Sequence, residues 1–298
     1  MRTRILLTAG VLLGGSALLL AACAPGGPPG GPPGGGGGGT TTTAGPDAVP
    51  CPPSVDFPDL SASPGAGAGY VQPSVTLSCT PTTLNVSSNG MISYEFQQMT
   101  PNPLSEQAWN WSVPLVPVVA AQSTSILNTL GTLGFTVTGL PIYGPTEGPQ
   151  PASQAFGDPV YNGILDSCGG HTGPAAEYHD HAIISTSNCG FEASPIVGYA
   201  LDGFPIYGPN GCLDLACTNV VTMQSGYSLT GNPTTNSWTA YTFTANADPA
   251  VLDACNGTYG PDGTYRYHAT GGFPYTFGCF MGTPVYQSGA AGAPLAPG

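Results

Sequence analysis

Nine cysteines constrain this chain of 298 residues more than any other feature. In an exported protein cysteines pair as disulfides, and an odd number leaves one for another purpose. If one cysteine serves another purpose, the other eight predict four disulfides. Coordination of a metal ion by cysteine thiolates is the competing interpretation. Only the cysteine pair with four residues between them has a plausible ligand spacing, so disulfides are favoured. Sequence alone allows other connectivities, but pairing of near neighbours predicts Cys51–Cys79, Cys168–Cys189, Cys212–Cys217 and Cys255–Cys279.

The N-terminal segment has the pattern of an export signal. Two arginines precede an apolar run over residues 5–20, which is too short for a comfortable transmembrane helix. The run ends in Leu20-Ala21-Ala22-Cys23, which resembles the lipobox of bacterial lipoproteins. The resemblance implies a lipoprotein signal peptide over residues 1–22, cleavage before Cys23, and acylation of the Cys23 sulfur by fatty acids such as palmitate. An ordinary signal peptide with a chance cysteine is the alternative. We expect a lipid-anchored protein of the bacterial cell envelope, facing the periplasm or the exterior.

Composition divides the remaining chain into three parts. Residues 23–50 are rich in glycine, proline and threonine and cannot bury a core, so they predict a disordered N-terminal linker. Residues 51–287 predict one folded domain, and residues 288–298 predict a flexible tail.

The charge balance excludes several partners. The chain has 16 acidic residues and three basic ones, and Arg266 is the one basic residue beyond the signal segment. Nucleic-acid binding needs a surface of lysine and arginine, so it is excluded, and so is a polybasic membrane patch. We expect contact with the membrane through the lipid anchor only, and nothing in the sequence indicates a protein partner.

Short alternating segments favour strands. Apolar and polar residues alternate over residues 75–79 and again over residues 91–96, which is the period of a half-buried strand. Asn-Gly and Asp-Gly pairs recur between such segments and are typical of tight hairpin turns. The pattern predicts a mainly β, sandwich-like body that is cross-linked by disulfides.

Two sequence motifs each occur twice, and we call these repeated motifs echoes. Gly139-Leu140-Pro141-Ile142-Tyr143-Gly144-Pro145 recurs as Gly203-Phe204-Pro205-Ile206-Tyr207-Gly208-Pro209. The order Asp-x-Cys-x-Gly, then Tyr-x-x-His, then Cys begins at Asp166 and recurs from Asp253. These echoes predict two pseudo-repeated halves packed face to face.

All four histidines lie within the echoes, which indicates a metal site. His179 and His181 are two residues apart and share one face of a strand, with His171 just upstream. Packing of the two halves would bring His268 to the same point. Imidazole binds transition metals, so a zinc or copper ion is the predicted cofactor. Histidines that only hydrogen-bond in a polar core are the alternative. The predicted outer partners of the rings are Asp166, Asp180, Asp253, Tyr178, Tyr265 and Tyr267.

The chain resembles the YHYH proteins, a family named for a Tyr-His-Tyr-His element. The resemblance runs from about residue 75 to 283 and is carried by Tyr178-His179-Asp180-His181, by Gly203-Phe204-Pro205-Ile206-Tyr207-Gly208 and by Tyr265-Arg266-Tyr267-His268. It implies an exported bacterial protein and no established activity. Asp180 stands at the second tyrosine of the motif, and Arg266 and Thr258 stand at histidine positions of the later copy. Two equivalent metal sites are therefore not expected, and one asymmetric site or one site on the first copy remain the alternatives.

Three functions follow as hypotheses. The first is a cell-envelope lipoprotein with a YHYH domain that binds a transition-metal ion through its histidines. The second is a metal-dependent extracytoplasmic enzyme, although no His-Glu-x-x-His, Gly-x-Ser-x-Gly or phosphate-loop motif occurs. The third is a disulfide-rich structural or adhesive module. The sequence does not decide whether the protein is an enzyme.

Overall fold

A computed structural model describes residues 51–127, 129–148, 157–183, 189–190 and 195–286. The predictions for the signal peptide over residues 1–22, for Cys23, for the linker up to residue 50 and for the tail over residues 288–298 lie outside the described residues. No helix in the described part of the chain is long and apolar enough to cross a membrane.

The described chain consists mostly of short strands and turns, as the sequence predicts. Its helices are α1 (Ser237–Ala240) and two 3-10 turns, Pro52–Asp56 and Leu60–Ala62. The strands are β1 (Val75–Cys79), β2 (Thr83–Ser88), β3 (Trp109–Pro114), β4 (Thr124–Ser125), β5 (Gly134–Thr136), β6 (Pro141–Ile142), β7 (Gly170–Thr172), β8 (Tyr178–Asp180), β9 (Ile196–Ala200), β10 (Pro205–Tyr207), β11 (Asn210–Cys212), β12 (Val220–Thr222), β13 (Tyr227–Leu229), β14 (Tyr241–Phe243), β15 (Gly257–Tyr259), β16 (Tyr265–His268) and β17 (Cys279–Phe280).

The strands form two main sheets. β1, β2 and β3 make an antiparallel three-stranded sheet, and eight strands pair in the order β15-β16-β10-β9-β5-β6-β8-β7. Within the larger sheet the pairs β10–β16 and β6–β8 are parallel, and the others are antiparallel. Three further pairs, β11–β12, β13–β14 and β4–β17, extend the body.

The core lies between the two main sheets. Strand β3 has the alternation that a half-buried strand requires, because Trp109, Trp111 and Val113 are buried while Asn110 is exposed. The Trp111 ring stacks on Phe135 of β5 with 4.9 Å between the ring centroids. Aromatic contact between sheets of this kind supports the sandwich-like prediction. Residues 91–96, predicted as a strand, are not in a strand, and Met91, Ile92 and Ser93 are consecutively buried.

Four disulfides cross-link the body, in the same pairs that near-neighbour pairing predicts. The bridges are Cys51–Cys79, Cys168–Cys189, Cys212–Cys217 and Cys255–Cys279. Each closes a separate loop of the chain. Disulfides at this density are typical of a protein that folds in an oxidising compartment outside the cytoplasm.

The two copies of the echo that begin at Asp166 and at Asp253 form similar hairpins at opposite ends of the eight-stranded sheet. β7 and β8 contain the first echo, β15 and β16 contain the second, and four strands lie between β8 and β16. The prediction that two halves pack face to face is therefore wrong. The antiparallel pairing of β5 with β9 joins both ends into one continuous sheet. A repeat of whole halves stays a prediction.

Candidate metal centre

Strand pairing brings three histidines to one face of the sheet. His171 in β7 lies directly opposite His179 in β8. Side chains directly opposite each other in an antiparallel pair point to the same face. His181 follows β8 two residues after His179 and returns to that face. All three side chains are almost completely buried.

The Nε2 atoms of the three rings converge with one carboxylate. His181 Nε2 lies 3.1 Å from His179 Nε2 and 3.1 Å from His171 Nε2. Glu147 Oε2 lies 2.8 Å from His171 Nε2 and 3.2 Å from His181 Nε2. The four residues offer ligand atoms that all lie within 4.8 Å of one another. A zinc ion with four bonds of about 2.0–2.1 Å separates its ligand atoms by roughly 3.3 Å, so the cluster has the dimensions of a metal site.

A backbone carbonyl sets the tautomer of His181. Nδ1 of His181 lies 2.7 Å from the carbonyl oxygen of Gly144. A carbonyl can only accept a hydrogen bond, so Nδ1 carries the hydrogen and Nε2 of the neutral ring presents its lone pair to the cluster. Orientation of a ring by an outer hydrogen bond is usual for metal-binding histidines.

The His179 ring is held by stacking. Tyr143 stacks on it with 3.9 Å between the ring centroids, and Glu177 Oε1 lies 4.0 Å from its Nδ1. Burial lowers the pKa of His179 well below its usual value, and the neighbouring rings of His181 and His171 act in the same direction. The ring is therefore neutral at pH 7, which is the form that binds metal.

Glu147 is the residue of the cluster that sequence analysis missed. Burial favours the neutral acid, but the approach of His171 and His181 outweighs this and lowers the pKa of Glu147 below its usual range. Its Oε2 atom is nevertheless buried without a hydrogen bond of good geometry, although two ring nitrogens lie within 3.2 Å. Buried nitrogen and oxygen atoms that converge on one point, 2.8–3.2 Å apart, fit a site for a cation. One difference between the two copies of the echo could have pointed to it. The segment Tyr143-Gly144-Pro145-Thr146 is followed by Glu147, whereas Gly211 stands at the matching position of the second copy.

The structure does not bring His268 to this cluster, so the prediction that it is a ligand is wrong. His268 ends β16, and roughly 24 Å of sheet, at about 4.8 Å per strand, separates β16 from β8. Its Nδ1 donates instead to the carbonyl oxygen of Gly208, 2.9 Å away. His268 thus makes the same contact with a glycine carbonyl as His181 does, near the opposite end of the sheet.

His268 should make stability depend on pH. Burial lowers its pKa to about 4, Arg266 acts in the same direction, and the Gly208 carbonyl opposes them. A histidine in the unfolded chain titrates near 6.5, so below that pH the unfolded chain binds a proton that the folded protein does not. The free energy of unfolding therefore falls as the pH drops from about 6.5 towards 4, by roughly 3 kcal/mol from this residue.

The measurement compares denaturant midpoints of the native protein and His268→Gln at about pH 7 and about pH 4.5. We expect the variant to lose a smaller share of its stability over this interval, because glutamine does not titrate. Equal losses in the two proteins would contradict this role of His268.

Four of the predicted outer residues stabilise the turns of the hairpins. Asp166 accepts hydrogen bonds from three consecutive backbone N–H groups, beginning at Cys168, and Tyr178 donates to it. Asp253 accepts hydrogen bonds from the backbone N–H groups of Cys255 and Gly257 in the same way, and Tyr265 donates to it. None of these four hydrogen-bonds to a histidine ring among the described residues.

The other two predicted outer residues also lie apart from the ring nitrogens. Tyr267 donates to Asp202, 2.6 Å away. Asp180 is buried, and its Oδ2 makes no hydrogen bond within the described chain. Burial and the charge of Asp166 raise the pKa of Asp180 well above its usual value. The prediction that these residues orient the rings is corrected: a backbone carbonyl and Tyr143 do so.

The residues of this site lie within a region that a family model matches. A family model described as YHYH protein matches residues 110–282, more than half of the chain. The chain belongs to the YHYH family. Two ligands of the candidate site lie in the YHYH element itself, residues 178–181, and the other two also lie inside the matched region. No curated protein and no solved structure matches this YHYH protein.

Proposed function

We propose that this YHYH protein binds one transition-metal ion, zinc or copper, through His171, His179, His181 and Glu147. The observation that carries the proposal is the convergence of three ring nitrogens and one carboxylate oxygen within 4.8 Å. Isolated histidines of a polar core would each have a separate hydrogen-bond partner. Here the three Nε2 atoms converge instead on Oε2 of Glu147, which is buried without a hydrogen bond of good geometry.

The ligand set favours holding an ion over catalysis. A structural zinc site has four protein ligands, whereas a catalytic site has three and keeps one position for water or substrate. The chain supplies four donors, and only Glu147, with 30% of its side chain exposed, gives access from solvent. A bound ion would join the segment after β6 to β7 and β8, and so stabilise this end of the sheet.

Zinc is the ion that the donors fit best. Zinc accepts imidazole and carboxylate ligands together in four-coordinate sites. Copper(II) binds nitrogen donors more tightly than zinc does, so it is the competing ion.

The proposal places this ion outside the cytoplasm. The disulfides indicate an oxidising compartment, and the lipobox-like segment ending at Cys23 supports attachment to the cell envelope through a lipid. The long glycine- and proline-rich segment after Cys23 would hold the folded domain away from the membrane.

Elemental analysis of the natively exported protein tests the proposal. We expect about one zinc or copper ion per chain, and removal of the ion with EDTA should lower the melting temperature by roughly 10 °C. A ligand present at 1,000 times its dissociation constant contributes about 4 kcal/mol, and 1 kcal/mol corresponds to about 2–4 °C in a domain of this size.

The same protein distinguishes the competing functions. A stoichiometry near zero that zinc and copper salts fail to raise would contradict metal binding and favour a structural or adhesive module. Azide binding to the cobalt-substituted protein would reveal an open coordination position and favour a metal-dependent enzyme.

A further inference from the structure

A cavity of about 540 Å³ lies at the opposite end of the sheet from the metal cluster. Residues of β10, β15 and β16 line it, and it is independent of the proposed metal site. The residues that matter for its chemistry are Tyr207, Gly211, Asp248, Thr258, Arg266 and His268.

The wall of this cavity has the same local arrangement as the metal cluster, but with different side chains. Thr258 in β15 lies opposite Arg266 in β16, as His171 lies opposite His179. His268 follows Arg266 by two residues, so both side chains are on one face of β16.

The guanidinium of Arg266 therefore occupies the position that corresponds to the His179 imidazole in the metal cluster. The Arg266 guanidinium lies over the Tyr207 ring, 4.7 Å from its centroid, in the same way that His179 lies on Tyr143. A cation held against an aromatic face is favourable and is fixed in direction. Arg266 is also the one lysine or arginine of the described chain.

The carboxylate that completes the metal cluster has no counterpart here. Gly211 stands at the position that matches Glu147, and Met223 packs where a side chain at Gly211 would begin. The acid that pairs with Arg266 is Asp262, whose side chain is 48% exposed at the turn of the same hairpin.

The guanidinium keeps donors that no protein group uses. Its Nη2 bonds to Asp262 and Thr264, and its Nε is buried without a partner. Nη1 makes no hydrogen bond to the described residues. Arginine binds carboxylates strongly because several N–H groups lie in one plane.

His268 adds an acceptor on the same face of the strand. Its Nδ1 donates to the Gly208 carbonyl, so Nε2 of the neutral ring carries a lone pair. This Nε2 makes no hydrogen bond in the described part of the chain. A ligand hydroxyl can donate to it. Asp248 also borders the cavity, which disfavours ligands with several negative charges.

We propose that this cavity binds a small monocarboxylate that carries a neighbouring hydroxyl group. The carboxylate accepts hydrogen bonds from Arg266, and the hydroxyl donates to His268 Nε2. A sugar acid with one carboxylate and a short hydroxy acid such as lactate both belong to this class. The surrounding acidic residues weaken the attraction, so we expect a dissociation constant of about 1 mM.

Titration of the full protein with lactate tests the proposal by NMR, at low ionic strength. We expect saturable shifts at the backbone amides of Gly211 and Thr258. Lactamide, which has the same shape without the charge, should bind at least about 10-fold more weakly. Equal binding of lactate and lactamide, or no saturable shift, would overturn the proposal.

Two variants give effects of opposite sign. Arg266→Gln should weaken lactate binding at least about 10-fold, and Asp262→Asn should strengthen it because the guanidinium loses its competing acid. The Asp262 side chain is largely exposed, so this second variant keeps the test decisive if Arg266→Gln fails to fold. Unchanged affinity in Asp262→Asn would contradict the assigned role of Arg266. Lactate binding should survive removal of the metal, which separates this proposal from the proposed function.

Discussion

Replacing both His179 and His181 with alanine should remove the bound metal ion. The double variant deletes two of four ligands from a buried site, and the remaining pair, His171 and Glu147, cannot surround an ion. We expect the metal content to fall from about one ion per chain to less than about a tenth, with affinity reduced by more than about 100-fold. Elemental analysis after dialysis measures the content, and competition with a metal-binding dye measures the affinity.

His268→Ala is the matched control. His268 is as buried as His179, and its Nδ1 makes the same bond to a glycine carbonyl as that of His181. Both variants lose the packing of imidazole rings, so both should lower the melting temperature. Only the double variant should lose the metal. Loss of metal in His268→Ala, or full metal content in the double variant, would contradict the site.

Glu147→Gln removes the negative charge of the carboxylate and keeps the shape of the side chain. The amide fills the same volume but lacks the negative charge that offsets the ion. We expect weaker metal binding in a protein that remains folded. An unchanged affinity would remove Glu147 from the ligand set and leave a three-histidine site with an open position.

Reduction of all four disulfides should unfold the domain. The bridges separated by 21, 24 and 28 residues each contribute about 3–3.5 kcal/mol by limiting the unfolded chain, and the bridge that spans five residues contributes about 2 kcal/mol. Together these contributions match the whole stability of an ordinary domain, about 5–15 kcal/mol. Circular dichroism and tryptophan fluorescence at 37 °C report the loss, because Trp109 and Trp111 are buried in the native core.

The smallest loop provides the control for reduction. The double variant Cys212→Ala with Cys217→Ala should stay folded and melt roughly 4–8 °C lower, because it loses about 2 kcal/mol. Metal should be removed with EDTA in all samples, so that it does not hold the reduced chain together. A fully reduced, metal-free protein with native spectra would show that the core alone determines the fold.

The sequence predicted the chemistry of the two hairpins better than their placement. His171, His179 and His181 could be grouped from sequence because strand periodicity and a short turn determine which side chains share a face. Pairing of near neighbours predicted the four disulfide pairs that the structure has, although the sequence allows other connectivities. His268 could not be placed, because an echo shows that two segments adopt similar conformations and does not show that they meet.

Glu147 was beyond sequence reasoning for a related reason. It lies 24 residues before His171 and reaches the cluster through the parallel pairing of β6 with β8. No local pattern predicts a parallel pairing between segments this far apart, because it depends on how all eight strands are ordered.

The sequence by itself determined the β-rich character, the presence of four disulfides, the membership of the YHYH family and the grouping of His171, His179 and His181. These features depend on side-chain period, on spacing and on composition, which are local properties of a chain. Only the tertiary structure decided that the echoes lie at opposite ends of one sheet, that Glu147 joins the histidines, and that Arg266 faces a separate cavity. Strand order sets these distances, and strand order is decided by packing of the whole core.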